Sequence, residues 1–183
     1  MIIRLAKNEQ DLSQILALQA LNHSSTVTED VAQSQGFVTV KHDLNVLKRM
    51  HEAAPSVVAT VSEKVVAYAL AMTTDFKQEL PELIGFFVQL DKATYQGRLL
   101  RDIPYLVMGQ VCVAVEARGQ RLVDQMYDFM EQTYRQQYDL FVTEVAADNT
   151  RSMRVHERAD FVELFRHRDL GKEWVMLVKE WNS

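Results

Sequence analysis

The segment with the clearest chemical potential is Arg118-Gly119-Gln120-Arg121-Leu122-Val123, which follows a strand-like run over residues 110–115 and opens a stretch of helical period. A tight turn feeding a helix leaves several backbone N–H groups without intrahelical acceptors, and the helix dipole adds partial positive charge there. Such an end binds phosphate. Read without that role, Ala117-Arg118-Gly119 is a plain strand-to-helix connection. Arg118, Arg121, Arg151 and Arg154 cluster in sequence, and guanidinium groups suit phosphate recognition, although helices also display arginines as solvated charge. Ser152 and His156 are four apart in a short helical stretch and so share a face. Cys112, inside an apolar run, reads as a buried small hydrophobe, and as the single cysteine it excludes an internal disulfide framework. His23, His42, His51, His156 and His167 show no paired spacing of a zinc site, and no metal is expected.

Taken together, the loop and the residues downstream resemble the GNAT superfamily of acyl-CoA-dependent N-acyltransferases. The pyrophosphate loop of that family follows a long strand and reads Gln/Arg-x-x-Gly-x-Gly/Ala. Here Arg118-Gly119 fits its start, while Arg121 and Val123 stand where the family carries glycines. A second match follows in register: Asn149-Thr150-Arg151-Ser152, then His156-Glu157-Arg158-Ala159-Asp160-Phe161, where the family has Asn-x-x-Ala/Ser and a Tyr-x-x-x-Gly-Phe-like ending. The resemblance spans residues 105–168, and the order of the flanking elements is compatible with the same fold.

The resemblance implies an α/β (mixed α+β) fold: a mixed, mostly antiparallel sheet of about six or seven strands with a splayed parallel pair, flanked by helices. It implies one acyltransferase-like domain over residues 1–183 and acetyl-CoA as co-substrate. Backbone groups around Val113 and Val115 would pair with the pantetheine. The N–H groups of Gly119, Gln120, Arg121, Leu122 and Val123, with Arg118 beside them, would hold the pyrophosphate. Asn149 and Ser152 would meet the cofactor as well. His156 occupies a position where many members carry a tyrosine that protonates the departing thiolate; an imidazole can donate that proton, or only hydrogen-bond the cofactor or a neighbouring strand. Glu144 or Glu116 would accept the proton of the amine, unless they face solvent. The implied reaction is acetyl transfer to a primary amine of a small molecule or peptide, by direct attack in a ternary complex. The alternative is a catalytically silent acyl-CoA-binding sensor or scaffold. The acceptor pocket would be built by residues 22–41 and 75–101.

Positioning such a site requires a particular order of elements. Residues 2–5 read as a short strand, Asn8 as the cap of a helix carrying Leu12, Ile15, Leu16 and Gln19, and Asp43 as the start of a second helix ending before Pro55. Residues 56–61 and 65–72 read as a hairpin, and Pro81 as the first turn of a helix holding Phe86 and Phe87, which with Tyr95 are expected in the core. A long strand is predicted over 105–115, a helix from Gly119, a strand over 140–145, a short helix over 151–159, and a closing hairpin over 162–168 and 173–179.

Composition narrows the setting. With 183 residues, 48% hydrophobic and 25% charged, the chain is ordinary globular material of one-domain size. Its net charge of −5 argues against general nucleic-acid binding, and no apolar run is long enough for a membrane span. The opening Met1-Ile2-Ile3-Arg4-Leu5 builds no signal-peptide stretch, so the cytoplasm is expected. The expected partners are acetyl-CoA and an amine acceptor, with a homodimer left open.

Overall fold

A computed structural model describes residues 1–26, 37–169 and 171–181. The strands are β1 (Ile2–Leu5), β2 (Val57–Val61), β3 (Lys64–Met72), β4 (Thr94–Tyr95), β5 (Arg98–Leu99), β6 (Tyr105–Val113), β7 (Leu140–Ala146), β8 (Val162–Asp169) and β9 (Lys172–Glu180). The helices are α1 (Glu9–Asn22), α2 (Leu44–Ala53), α3 (Ile84–Leu90), α4 (Leu122–Tyr134) and α5 (Thr150–Arg158). Seven strands form one sheet in the order β1-β2-β3-β6-β7-β9-β8, with β4 and β5 a separate small hairpin. β6 and β7 run parallel, and the other pairings are antiparallel.

Local chemistry explains most boundaries. Asn8 Oδ1 accepts from the Asp11 N–H at 3.1 Å and caps α1, and Asp43 Oδ1 accepts from Asn45 and Val46 and caps α2. Ser62 and Glu63 turn the β2–β3 hairpin with φ of 47° and 65°, the left-handed geometry that suits the twist of paired strands. β3 is buried from Val65 to Met72, as a central strand covered on both faces must be. Tyr68, Leu70 and Gln110 face α1, whereas Leu106, Met108 and Phe141 face α4; the two helical layers close a core that includes Phe86 and Phe87.

The feature that opens a site is in the parallel pair. β6 and β7 are paired at Tyr105–Leu140, Leu106–Phe141 and Val107–Val142, and then run on to Val113 and Ala146 without further pairing. Against β3, Met108 of β6 stands opposite Ala71 and Gln110 opposite Leu70, which leaves Gly109 as the extra residue. A bulge there bends β6 immediately after its last bond to β7, and the strands part. Thr143 Oγ1 donates to the Met108 carbonyl at 3.0 Å at the apex of the fork.

Three expectations need correction. β6 ends at Val113; Val115 begins a single 3₁₀ turn, Val115–Ala117, because Ala114 gives its N–H to Val66 and the chain then leaves the sheet. α4 starts at Leu122 rather than Gly119, since Gly119 (φ 81°) and Arg121 (φ 54°) are left-handed and cannot lie inside a right-handed helix. The β4–β5 hairpin is absent from the expected order of elements; it turns on Gln96 and Gly97, both at positive φ. The predicted acceptor segment 22–41 falls partly on residues 27–36, outside the described residues.

Candidate active site

A groove of ≈ 620 Å³ enters the open end of the fork. Its walls are the end of β6 (Val111, Cys112, Val113), the turn and first residues of α4 (Arg118, Gly119, Arg121, Leu122, Val123) and α5 with its cap (Asn149, Arg151, Ser152, Arg154). No side chain caps α4 at Arg121, so its leading N–H groups keep their need for an acceptor. Arg118 bridges two elements: its Nε donates to the Val113 carbonyl at 3.3 Å and its Nη2 to Asn22 Oδ1 at 3.1 Å. Burial, and then the charge of Arg151, lower the Arg118 pKa, so two cations are held near each other on this groove. An anion between them is favoured.

Asn149 has a structural as well as a lining role, since its Oδ1 accepts from the Ser152 N–H at 3.2 Å and starts α5. The groove therefore gathers Val113, Arg118, Gly119, Arg121, Leu122, Val123, Asn149 and Ser152. It does not gather two others. Val115 is 70% exposed on its turn, and Gln120 lines an outer depression with Asp124 and Gln125, its carbonyl accepting from Gln125 Nε2 at 2.9 Å. The donor set and the unpaired length of β6 fit an extended, pyrophosphate-bearing cofactor such as acetyl-CoA: strand edge for an amide-containing arm, helix start for the anions.

Nearer the apex, a narrower cavity of ≈ 80 Å³ is lined by Met108, Gly109, Gln110, Thr143, Glu144, Ser152, His156, Trp174 and Phe37, among others. Glu144 and His156 reach it from opposite faces of the sheet, Glu144 from the α1 side and His156 from the α4 side. His156 is 1% exposed. Its Nδ1 lies 2.8 Å from the Ser152 carbonyl, which can only accept, so Nδ1 carries the hydrogen and Nε2 accepts from the Tyr127 hydroxyl at 2.9 Å. Burial pulls its pKa down to about 4. Both ring nitrogens therefore have partners within the protein, and burial disfavours the charged ring.

Glu144 is the reverse case. Burial pushes its carboxyl up to about 6, against a hydrogen bond from His167 that lowers it; Glu144 Oε2 and His167 Nε2 are 3.0 Å apart. A carboxylate poised near neutrality beside a cleft suits general base work. Glu116, the other candidate, is on the surface and bonded to Lys64 at 2.8 Å, outside the fork. Cys112 is buried with its thiol pushed up to about 12, inert as expected.

Sequence reasoning missed Thr143, Tyr127, Phe37 and His167. Thr143 left a trace, a hydroxyl in the apolar run Phe141-Val142-Thr143, but Tyr127 and His167 gain meaning only from partners 29 and 23 residues away.

Comparison with known proteins agrees with this geometry. The model of the acetyltransferase (GNAT) family matches residues 18–161, well over half of the chain. Curated proteins give no match. Among solved structures, the chain is similar to the ribosomal-protein-S18-alanine N-acetyltransferase from Escherichia coli (TM-score 0.66, 12% identity, covering 100% of this chain and 94% of that one). It is also similar to the ribosomal-protein-alanine N-acetyltransferase from Brucella melitensis (0.61, 17%, 98% and 99%). A third likeness is to yncA from Salmonella typhimurium, solved with its cofactor acetyl-CoA (0.63, 15%, 99% and 94%). At these identities the structural likenesses speak to the fold.

Proposed function

We propose that this chain, which belongs to the acetyltransferase (GNAT) family, transfers an acetyl group from acetyl-CoA to a primary amine of a small molecule or peptide, by direct attack in a ternary complex. The observation that carries this reading is the fork itself, a parallel pair that parts beyond Val107 and Val142 with an uncapped helix start at one end and a partly buried carboxylate at the other. Acetyl-CoA supplies a thioester whose carbonyl carbon accepts the amine and whose C–S bond then breaks, the nitrogen giving up its second proton to water as water protonates the departing thiolate. The residues of the chain do the rest. The N–H groups of Gly119, Arg121, Leu122 and Val123 and the guanidinium of Arg118 hold the pyrophosphate, and the free edge of β6 around Val113 aligns the arm. Glu144 takes the proton of the ammonium, which frees the nitrogen lone pair for attack. Asp169, whose charge acts on Glu144, adds negative potential that suits a cationic acceptor. His156 holds Ser152 and Tyr127 in place instead of donating a proton to sulfur.

The test mixes the purified protein with acetyl-CoA and a panel of polyamines, amino acids and peptides with free N-termini, and follows free thiol. At least one acceptor class should release thiol, and Glu144→Gln should cut that release by roughly 10²-fold or more while acetyl-CoA still raises the melting temperature. Stabilisation without thiol from any acceptor favours the silent binding module. No stabilisation by CoA or its esters overturns the groove assignment.

A further inference from the structure

β8 carries a bulge with a chemical consequence. It pairs with β9 at Val162–Val178 and Glu163–Leu177, skips Leu164, and resumes at Phe165–Met176 and His167–Trp174. One extra residue exchanges the faces of everything beyond it. Without Leu164 in excess, Arg166 would stand opposite Trp174; with it, His167 does, on the same face as Glu144, whose register partner is Met176. The two side chains meet across β9 at 3.0 Å, with side-chain exposures of only 9% for His167 and 13% for Glu144.

We propose that His167 is the positioning residue of Glu144: its Nε2–H holds Oε2, which leaves Oε1 toward the fork for the amine and keeps the carboxylate in its base form. This inference rests on the reading of Glu144 as the base. An ionised carboxylate only accepts, so the contact requires the hydrogen on Nε2. Nδ1 is buried with no partner among the described residues. The ring is thus committed to one bond, and that bond goes to the carboxylate. The charged and titratable groups around the pair are Asp169 farther along β8, Lys172 opposite Asp169 on β9 with its ammonium 5.3 Å from the ring centre of Phe37, and His156 from α5 across the fork. Burial and Asp169 both favour the neutral acid; His167 is the group that opposes them.

The test is carboxyl NMR of full-length protein labelled with ¹³C-carboxyl glutamate, the Glu144 signal being assigned by its loss in Glu144→Gln. Wild type should titrate near 6. His167→Phe, which removes the N–H, should raise that midpoint by about one unit, and His167→Gln, which restores an N–H donor, should bring it back. With whichever amine of the panel releases thiol, the acid limb of kcat/KM should move by the same amount while the KM for acetyl-CoA stays unchanged. A purely structural role would lower the melting temperature and leave the midpoint where it was. If circular dichroism shows His167→Phe unfolded, His167→Ala takes its place with the same expected rise. An unmoved midpoint with Glu144→Gln inactive overturns the role of His167 alone, whereas full thiol release by Glu144→Gln overturns the base reading beneath it.

Discussion

At the position where the family resemblance implies a proton donor, His156 has both ring nitrogens bonded within the protein, and the proposed role is to hold its neighbours in place. Full burial makes protonation costly, and the two ring nitrogens are already spent on Tyr127 and Ser152. Replacing it with phenylalanine leaves the buried Tyr127 hydroxyl without its acceptor, whereas the Ser152 carbonyl keeps its helical N–H partner, and such an orphaned group costs roughly 1–3 kcal/mol. His156→Phe is therefore expected to lose stability in denaturant unfolding by an amount of that order. Its remaining folded fraction should release thiol with an unshifted pH profile. A profile that lost its basic limb in this variant would restore His156 as the proton donor.

At the scale of elements, the turn between β6 and α4 owes its composition to its backbone. Gly119 sits at φ 81° with nothing near the place its Cβ would occupy, so Gly119→Ala should cost about 1 kcal/mol through backbone strain alone. Arg121 sits at φ 54°, where glycine is at home and where the family pattern has one. Arg121→Gly is accordingly expected to raise stability by up to about 1 kcal/mol, because relief of the left-handed strain outweighs the added freedom of the unfolded chain. If the arginine also contributes to the anion site, the same variant binds CoA more weakly by calorimetry while melting higher. Two bulges do comparable work: Gly109 parts the parallel strands, and Leu164 turns His167 toward Glu144.

For the whole molecule, buried ionisable groups set the pH dependence of folding. His42 and His156 are both pulled down to about 4 by burial, so between about 4 and 6.5 the unfolded chain binds up to two more protons than the native one at these sites. Stability from them is complete above the unfolded value and is lost as pH falls through that window. Glu144 has the opposite sign. Its folded pKa of about 6 exceeds the usual carboxylate value, so the native state holds the extra proton between about 4.5 and 6 and gains on acidification. Two against one leaves a net loss, roughly 2 kcal/mol between pH 7 and pH 5, measurable as a lower denaturation midpoint at pH 5. In Glu144→Gln the offsetting contribution is gone, and the same acidification should cost roughly 1 kcal/mol more. No helix of the described residues is long and apolar enough to cross a membrane.

The order of elements was legible in the sequence because it is written in local rules: caps at Asn8 and Asp43, apolar periodicity, and the period change from strand to helix around residue 119. The groove residues from Arg118 to Val123 and at Asn149 and Ser152 were largely legible too, because backbone donors at a helix start and a capping asparagine are properties of short segments. Tertiary structure decided the rest. Whether Val115 or Val113 borders the groove depended on where β6 leaves the sheet, and whether Gln120 faces it depended on the left-handed residues on either side. The protonation states of Glu144 and His156 depended on burial and on partners far away in sequence. Those quantities are sums over neighbours that only folding assembles, and a one-residue bulge is enough to change which neighbours they are.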